Sequence, residues 1–204
     1  VQTCALPICV KHLPGHGRGA ADPHLQLPVI NASLGELETD FYPFQQLNNA
    51  PMGMVAHIIL SAVDAKNPAT CSAKVIKNII RRKISFNGLL VSDAIVMKAL
   101  HGTVAERAAR CLAAGCDVVC LGNADFAANS ELCRSGLNMS DAALERLQAI
   151  HKIINKPLPP ANYAHLQNKY CGRLKNIISY NYEYDATEVL GRLRKQENKE
   201  KSKC

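Results

Sequence analysis

Lys11, His12, His16, Asp22 and His24 fall within fourteen residues of one another on a stretch rich in glycine and proline. Three histidines, an aspartate and a lysine on one short loop carry more chemistry than a connection needs. Imidazole titrates near pH 6.5, so a histidine there can donate a proton and recover it near neutrality. A carboxylate beside it orients the ring and stabilises its protonated form. The same groups could also hold a metal, since His12, His16, Asp22 and His24 are all ligand types. Taken singly, the positions have plainer readings. Asp22-Pro23-His24 is a common turn sequence, and Asp93, just past an apolar run, suits a turn or a helix cap. His57 lies on an apolar segment, as core histidines do, and His16 suits a loop-shaping role.

Elements that could position these groups follow from patterning. A short strand is expected at Cys9–His12, leading into the loop that ends near Ile30. Ser33 with Glu36 has capping-box spacing, so a helix should run from there toward Leu47. Met52–Leu60 is a continuous apolar run and reads as one buried strand. A helix should start at Ser72, with Val75, Ile76, Ile79 and Ile80 opposite Lys74, Lys77, Arg81 and Arg82. Strands are expected at Leu89–Val91 and Asp117–Leu121, separated by a helix over Thr103–Ala114 that Gly115 terminates. Helices are expected again near Phe126–Cys133 and Ser140–Asn155. Four strand–loop–helix units imply parallel α/β architecture, and the polar residues gather after the strands. In a (β/α)8 barrel that face carries the active site, and a barrel needs about 250 residues. The expected fold is therefore the C-terminal portion of such a barrel, with the N-terminal half missing.

Composition sets the outer limits. The chain has 204 residues, 48% hydrophobic and 20% charged, the profile of a globular protein. No apolar run approaches the ~20 residues that span a bilayer, so no membrane association is expected, and no signal peptide is visible. The net charge is +7, and between Lys169 and Cys204 nine Lys and Arg stand against five Asp and Glu. That places over half of the excess in a tail, and no aromatic-interleaved basic motif supports nucleic-acid binding. The nine cysteines include no C-x-x-C pair. Reduced thiols in a cytoplasm are the expectation. Residues 1–8, Val1-Gln2-Thr3-Cys4-Ala5-Leu6-Pro7-Ile8, equal the translation of the end of a widely used sequencing adapter. The native sequence is expected to begin near Cys9. The expected domains are a partial catalytic barrel over residues 9–157 and a helical, basic extension over 158–204.

Lys11-His12-Leu13-Pro14-Gly15-His16-Gly17, followed by Asp22-Pro23-His24 and Leu27-Pro28, resembles the K-H-F-P-G-H-G, D-S-H and L-P segments of glycoside hydrolase family 3, in its bacterial β-N-acetylglucosaminidase branch. Met54-Val55-Ala56-His57, Val63-Asp64 and Pro68-Ala69-Thr70-Cys71-Ser72 are similar to the family's M-x-A-H, V-D and P-A-T-x-S. Asn87 through Ala94 with Met97-Lys98-Ala99 resembles its S-D-bearing strand, and Ala113 through Asp117 its A-G-C-D. The resemblance covers about residues 9–155.

It implies a retaining hydrolase that removes terminal, non-reducing β-linked N-acetylglucosamine through a covalent glycosyl-enzyme. Asp93 would be the nucleophile and His24 the acid/base, supported by Asp22, while Lys11, His12 and His57 would bind the sugar. The branch implies GlcNAc-containing muropeptides of peptidoglycan recycling as substrate, with no cofactor and no metal. Pro23 departs from the family serine, Leu13 from phenylalanine and Val96 from serine. The D-x-E-G-G strand and an arginine-bearing segment have no counterpart here. An inactive partial barrel and a basic-tailed nucleic-acid-binding protein are the alternatives.

Overall fold

The computed structural model describes residues 9–122, 125–154, 165 and 168–169. The expectations for residues 1–8 and for most of 158–204 lie outside them. By contact density the chain divides into two units, Val1–Pro157 and Leu158–Cys204.

Within the first unit the order is β1 (Cys9–Leu13), β2 (Val29–Ile30), α1 (Leu34–Gln46), β3 (Met52–Val55), β4 (Ile59–Leu60), a 3₁₀ turn (Ala69–Cys71), a π-helix (Val75–Lys83), β5 (Leu89–Ala94), α2 (Val104–Ala114), β6 (Val118–Cys120), α3 (Phe126–Arg134) and α4 (Asp141–Ile154). Strands β1, β3, β5 and β6 form one sheet in that order, and every pairing in it is parallel. Strands β2 and β4 pair separately, also in parallel. Neighbours in the main sheet are thus neighbours in the chain, with a helix in each connection. This is the α/β organisation the alternation of segments predicts.

The local signals work where side chains reach their own backbone. Ser33 accepts from the Glu36 N–H, and the Glu36 carboxylate accepts from Ser33 N–H at 2.8 Å, a complete capping box that starts α1. Thr103 and Glu106 repeat it on α2. That helix stops at Gly115, whose φ of 112° is a left-handed conformation suited to glycine.

Two elements differ from the sequence reading. The run Met52–Leu60 is not one strand. Ala56 N–H still bonds the Leu13 carbonyl at 2.8 Å, but Ile59 N–H turns to Pro28 at 2.9 Å. The chain changes sheets between them and carries His57 inward. The segment after Ser72 is helical, and its buried stripe is Val75, Ile76, Ile79 and Ile80 as read. It is wound as a π-helix rather than an α-helix, with Ile84 N–H bonding the Ile79 carbonyl at 2.8 Å. The core lies between sheet and helices, where Leu13, Val55, Leu60, Ile80, Phe86 and Leu90 are fully buried.

Candidate active site

Four short segments converge beyond the carboxyl ends of β1 and β5. The loop after β1 is tethered to α1: Arg18 Nε donates to Asp40 Oδ2 at 2.6 Å, and Arg18 Nη2 donates to the Glu36 carbonyl at 3.2 Å. Gly15 passes so close that a Cβ there would lie 3.1 Å from Asp40 Cβ, and its φ of 137° excludes most side chains in any case. The result is a cavity of about 570 Å³ lined by Lys11, His12, His16, Gly17, Asp22, Pro23, His24, Met54 and Asp93.

Asp93 occupies the tip of β5, its side chain 15% exposed. Its Oδ1 accepts from the Ala94 N–H at 2.8 Å, and its Oδ2 lies 3.7 Å from His12 Nε2. One carboxylate oxygen is therefore anchored, and the other is left to the cavity. Burial lowers the pKa of His12, against the opposing charge of Asp93. A neutral imidazole can either donate to or accept from a hydroxyl. The His16 ring meets that of His12 edge to face, centroids 6.0 Å apart, and His16 Nε2 is buried without a hydrogen-bond partner among the described residues.

Asp22 and His24 form a small self-contained unit. Asp22 Oδ1 accepts from both the His24 backbone N–H at 2.9 Å and the ring Nδ1 at 2.8 Å. Those two donations hold Asp22 below the usual carboxylate range. Because Nδ1 gives its proton to a carboxylate, Nε2 is the nitrogen left for proton exchange. The His24 side chain is 73% exposed, so solvent and ligand both reach it.

His57 belongs to a different layer. Its side chain is fully buried and does not line the cavity. Nε2 lies 3.1 Å from the Ala94 carbonyl, which can only accept, so Nε2 carries the proton. Nδ1, 2.8 Å from Thr70 Oγ1, then accepts from the hydroxyl. Burial lowers its pKa, against the Ala94 hydrogen bond and the charge of Asp93. For His57, expected to bind the sugar, both ring nitrogens are taken up by protein, and the ring lies against the Ala94 carbonyl beside Asp93.

Thr70, Ser92 and Arg107 were not singled out from sequence as supports, and all three act on that tip. Ser92 Oγ donates to the Asp93 carbonyl at 2.8 Å and accepts from Cys120 N–H at 3.1 Å, tying β5 to β6. Arg107 Nη1, from α2, donates to the Ile95 carbonyl at 2.9 Å. Thr70 lies in the Pro68–Ser72 segment, but no local pattern shows what its hydroxyl meets. No group of three or more His, Cys, Asp or Glu poised to hold a metal occurs among the described residues.

A parallel sheet with ionisable groups gathered beyond its carboxyl ends defines an α/β protein of the kind on which enzymes build their sites. A family model described as the glycosyl hydrolase family 3 N-terminal domain matches residues 2–153. The chain is 38% identical over 145 residues to a beta-hexosaminidase of Chromobacterium violaceum, covering 69% of this chain and 40% of that protein. It is 42% identical over 120 residues to a beta-hexosaminidase of Neisseria meningitidis serogroup B, covering 56% of this chain and 33% of that one. Among solved structures it is similar to NagZ from Neisseria gonorrhoeae in complex with N-trifluoroacetyl-D-glucosamine, with a TM-score of 0.65 and 31% identity, over 80% of this chain and 49% of that one. The chain belongs to glycosyl hydrolase family 3. It spans one third to about half the length of these relatives. No helix among the described residues is long and apolar enough to cross a membrane.

Proposed function

We propose that the whole protein is a retaining β-N-acetylhexosaminidase, that these strands form part of a (β/α)8 barrel, and that the cavity around Asp93 is its active site. The observation that carries this is convergence: Lys11 and His12 on β1, Asp22 and His24 in the loop that follows it, and Asp93 at the distant tip of β5 line one cavity of sugar size. Asp93 Oδ2 attacks the anomeric carbon while His24 Nε2 protonates the departing oxygen. Water, deprotonated by the same nitrogen, then hydrolyses the glycosyl-enzyme. Asp22 keeps His24 in the required tautomer, and Lys11 and His12 bind sugar hydroxyls. Beta-hexosaminidase relatives support a terminal N-acetylglucosamine as the sugar. Resemblance to the recycling branch supports GlcNAc-containing muropeptides in a bacterial cytoplasm as the natural setting.

A 2-fluoro aryl glycoside tests the reading. Digestion of the labelled full-length protein should place the sugar on Asp93. Label on another carboxylate would displace Asp93 from the nucleophile's role.

A further inference from the structure

Thr70, which holds His57, is followed by Cys71, and the Sγ of Cys71 lies 3.6 Å from that of Cys111 on α2. Glycoside hydrolysis uses no thiol, so this contact stands outside the site above. Free cysteines in a core are usually inert small hydrophobes, buried and protonated. Cys116 fits that description: its Sγ is buried, donates to the Thr70 carbonyl at 3.6 Å, and burial pushes its thiol up. Cys71 does not. It is only partly buried, and the hydrogen bond from Cys111 brings its thiol down, against burial and with help from the charge of Arg110. Cys111 is fully buried, and the same shared proton pushes its thiol up. One cysteine is thus partly exposed with a lowered thiol, and the other is a shielded thiol already in contact with it.

We infer that Cys71 and Cys111 form a reversible oxidation site, in which a hydroperoxide oxidises Cys71 and Cys111 resolves the product as a disulfide. The Cys71 thiolate attacks one peroxide oxygen and breaks the O–O bond. The other oxygen leaves as hydroxide and becomes water on protonation. The resulting sulfenic acid is attacked at sulfur by Cys111, whose proton departs with the hydroxyl as a second water. Two thiols lose two electrons, and hydrogen peroxide is reduced to two waters. The bond would join the 3₁₀ turn that carries Thr70 to α2.

The test uses the full chain and hydrogen peroxide, with free thiols then alkylated and the tryptic peptides weighed. The expected product joins residues 67–74 to residues 111–134, two hydrogens lighter than the sum, and dithiothreitol removes it. Cys111, Cys116, Cys120 and Cys133 share the second peptide, so variants separate them: Cys116→Ser, Cys120→Ser and Cys133→Ser should each keep the cross-link, and Cys111→Ser should lose it. In Cys111→Ser, dimedone should trap Cys71 as its sulfenic acid. Oxidation of Cys71 should slow from pH 7 to pH 6 as its thiolate is protonated. Cys71 and Cys111 remaining alkylatable while exposed Cys133 is oxidised would overturn the inference, as would a cross-link from Cys71 to any other cysteine. The readout is a mass, so it stands apart from any failure of the glycosidase reading.

Discussion

The two ends of the sheet use the same residue types to opposite effect. At the amino end, Asp117 precedes β6 with its side chain 5% exposed. Its Oδ2 accepts from Arg81 Nη2 at 2.8 Å and from the Leu90 N–H at 2.7 Å, and its Oδ1 accepts from Arg146 Nη1 at 2.7 Å. Arg81 also donates to the carbonyls of Phe86 and Gly88, closing the turn into β5. At the carboxyl end, Asp93 has one backbone donor and a histidine 3.7 Å away. A carboxylate with its lone pairs filled is a strut, and one with an oxygen left open is a reagent. The difference lies in how many donors the fold supplies.

That contrast predicts a double dissociation between stability and turnover. Asp93→Ala in the full-length protein should reduce hydrolysis of aryl β-N-acetylglucosaminides to background. Its unfolding free energy should stay within about 1 kcal/mol of the parent, since no buried partner is stranded. Asp117→Ala leaves Arg81, Arg146 and the Leu90 N–H without their acceptor. It should cost about 3–5 kcal/mol in denaturant unfolding. Comparable stability losses for the two variants would dissolve the distinction between strut and reagent.

Within the reactive end, His24 and Asp22 divide the labour. His24→Ala should lower turnover by about 10²- to 10⁴-fold, more for poor leaving groups than for activated phenols. With an activated phenol, departure needs little acid but deglycosylation still needs a base. Pre-steady-state traces should then show a burst of phenol before slow turnover. Asp22→Ala should act in the same direction and more weakly, because it frees Nδ1 without removing Nε2. Equal losses for good and poor leaving groups would take His24 out of the acid/base role.

Much of this arrangement is legible in the sequence because its causes are local. Ser33 with Glu36 announces α1, Gly115 ends α2, and the stretch from Lys11 to His24 carries three histidines close together. What escapes is whatever depends on partners far along the chain. The apolar run Met52–Leu60 gives no sign of its break, because the acceptors that split it are Leu13 and Pro28. Apolar spacing shows the stripe after Ser72, but it does not distinguish i→i−4 from i→i−5 hydrogen bonding. The Arg81–Asp117–Arg146 cluster and the Cys71–Cys111 contact join residues 29 to 40 positions apart. His57 shows the limit most clearly: its spacing places it on an apolar strand beside the site, but only Thr70 and Ala94 reveal that it supports rather than lines the cavity.

His57 also yields the smallest and most specific expectation. Its folded pKa lies below the unfolded value of about 6.5, first because burial disfavours the charged ring. The stability that neutral His57 contributes is fully present above pH 6.5. It is lost as pH falls from there through the lower folded pKa, because the unfolded chain binds the proton first. While that occurs, the free energy of unfolding should decline by up to about 1.4 kcal/mol per pH unit from this one group. His57→Gln keeps a polar side chain but cannot titrate, so it should flatten the acid limb of a denaturation series between pH 7 and pH 5. Asp117→Asn, at the other end of the sheet, should lower stability at pH 7 by weakening the acceptor shared by Arg81, Arg146 and the Leu90 N–H. Turnover should separate the two ends again: His57→Gln loosens the Ala94 carbonyl beneath Asp93 and should lower kcat more than it raises KM. An acid limb as steep in His57→Gln as in the parent would mean that another group carries the proton linkage.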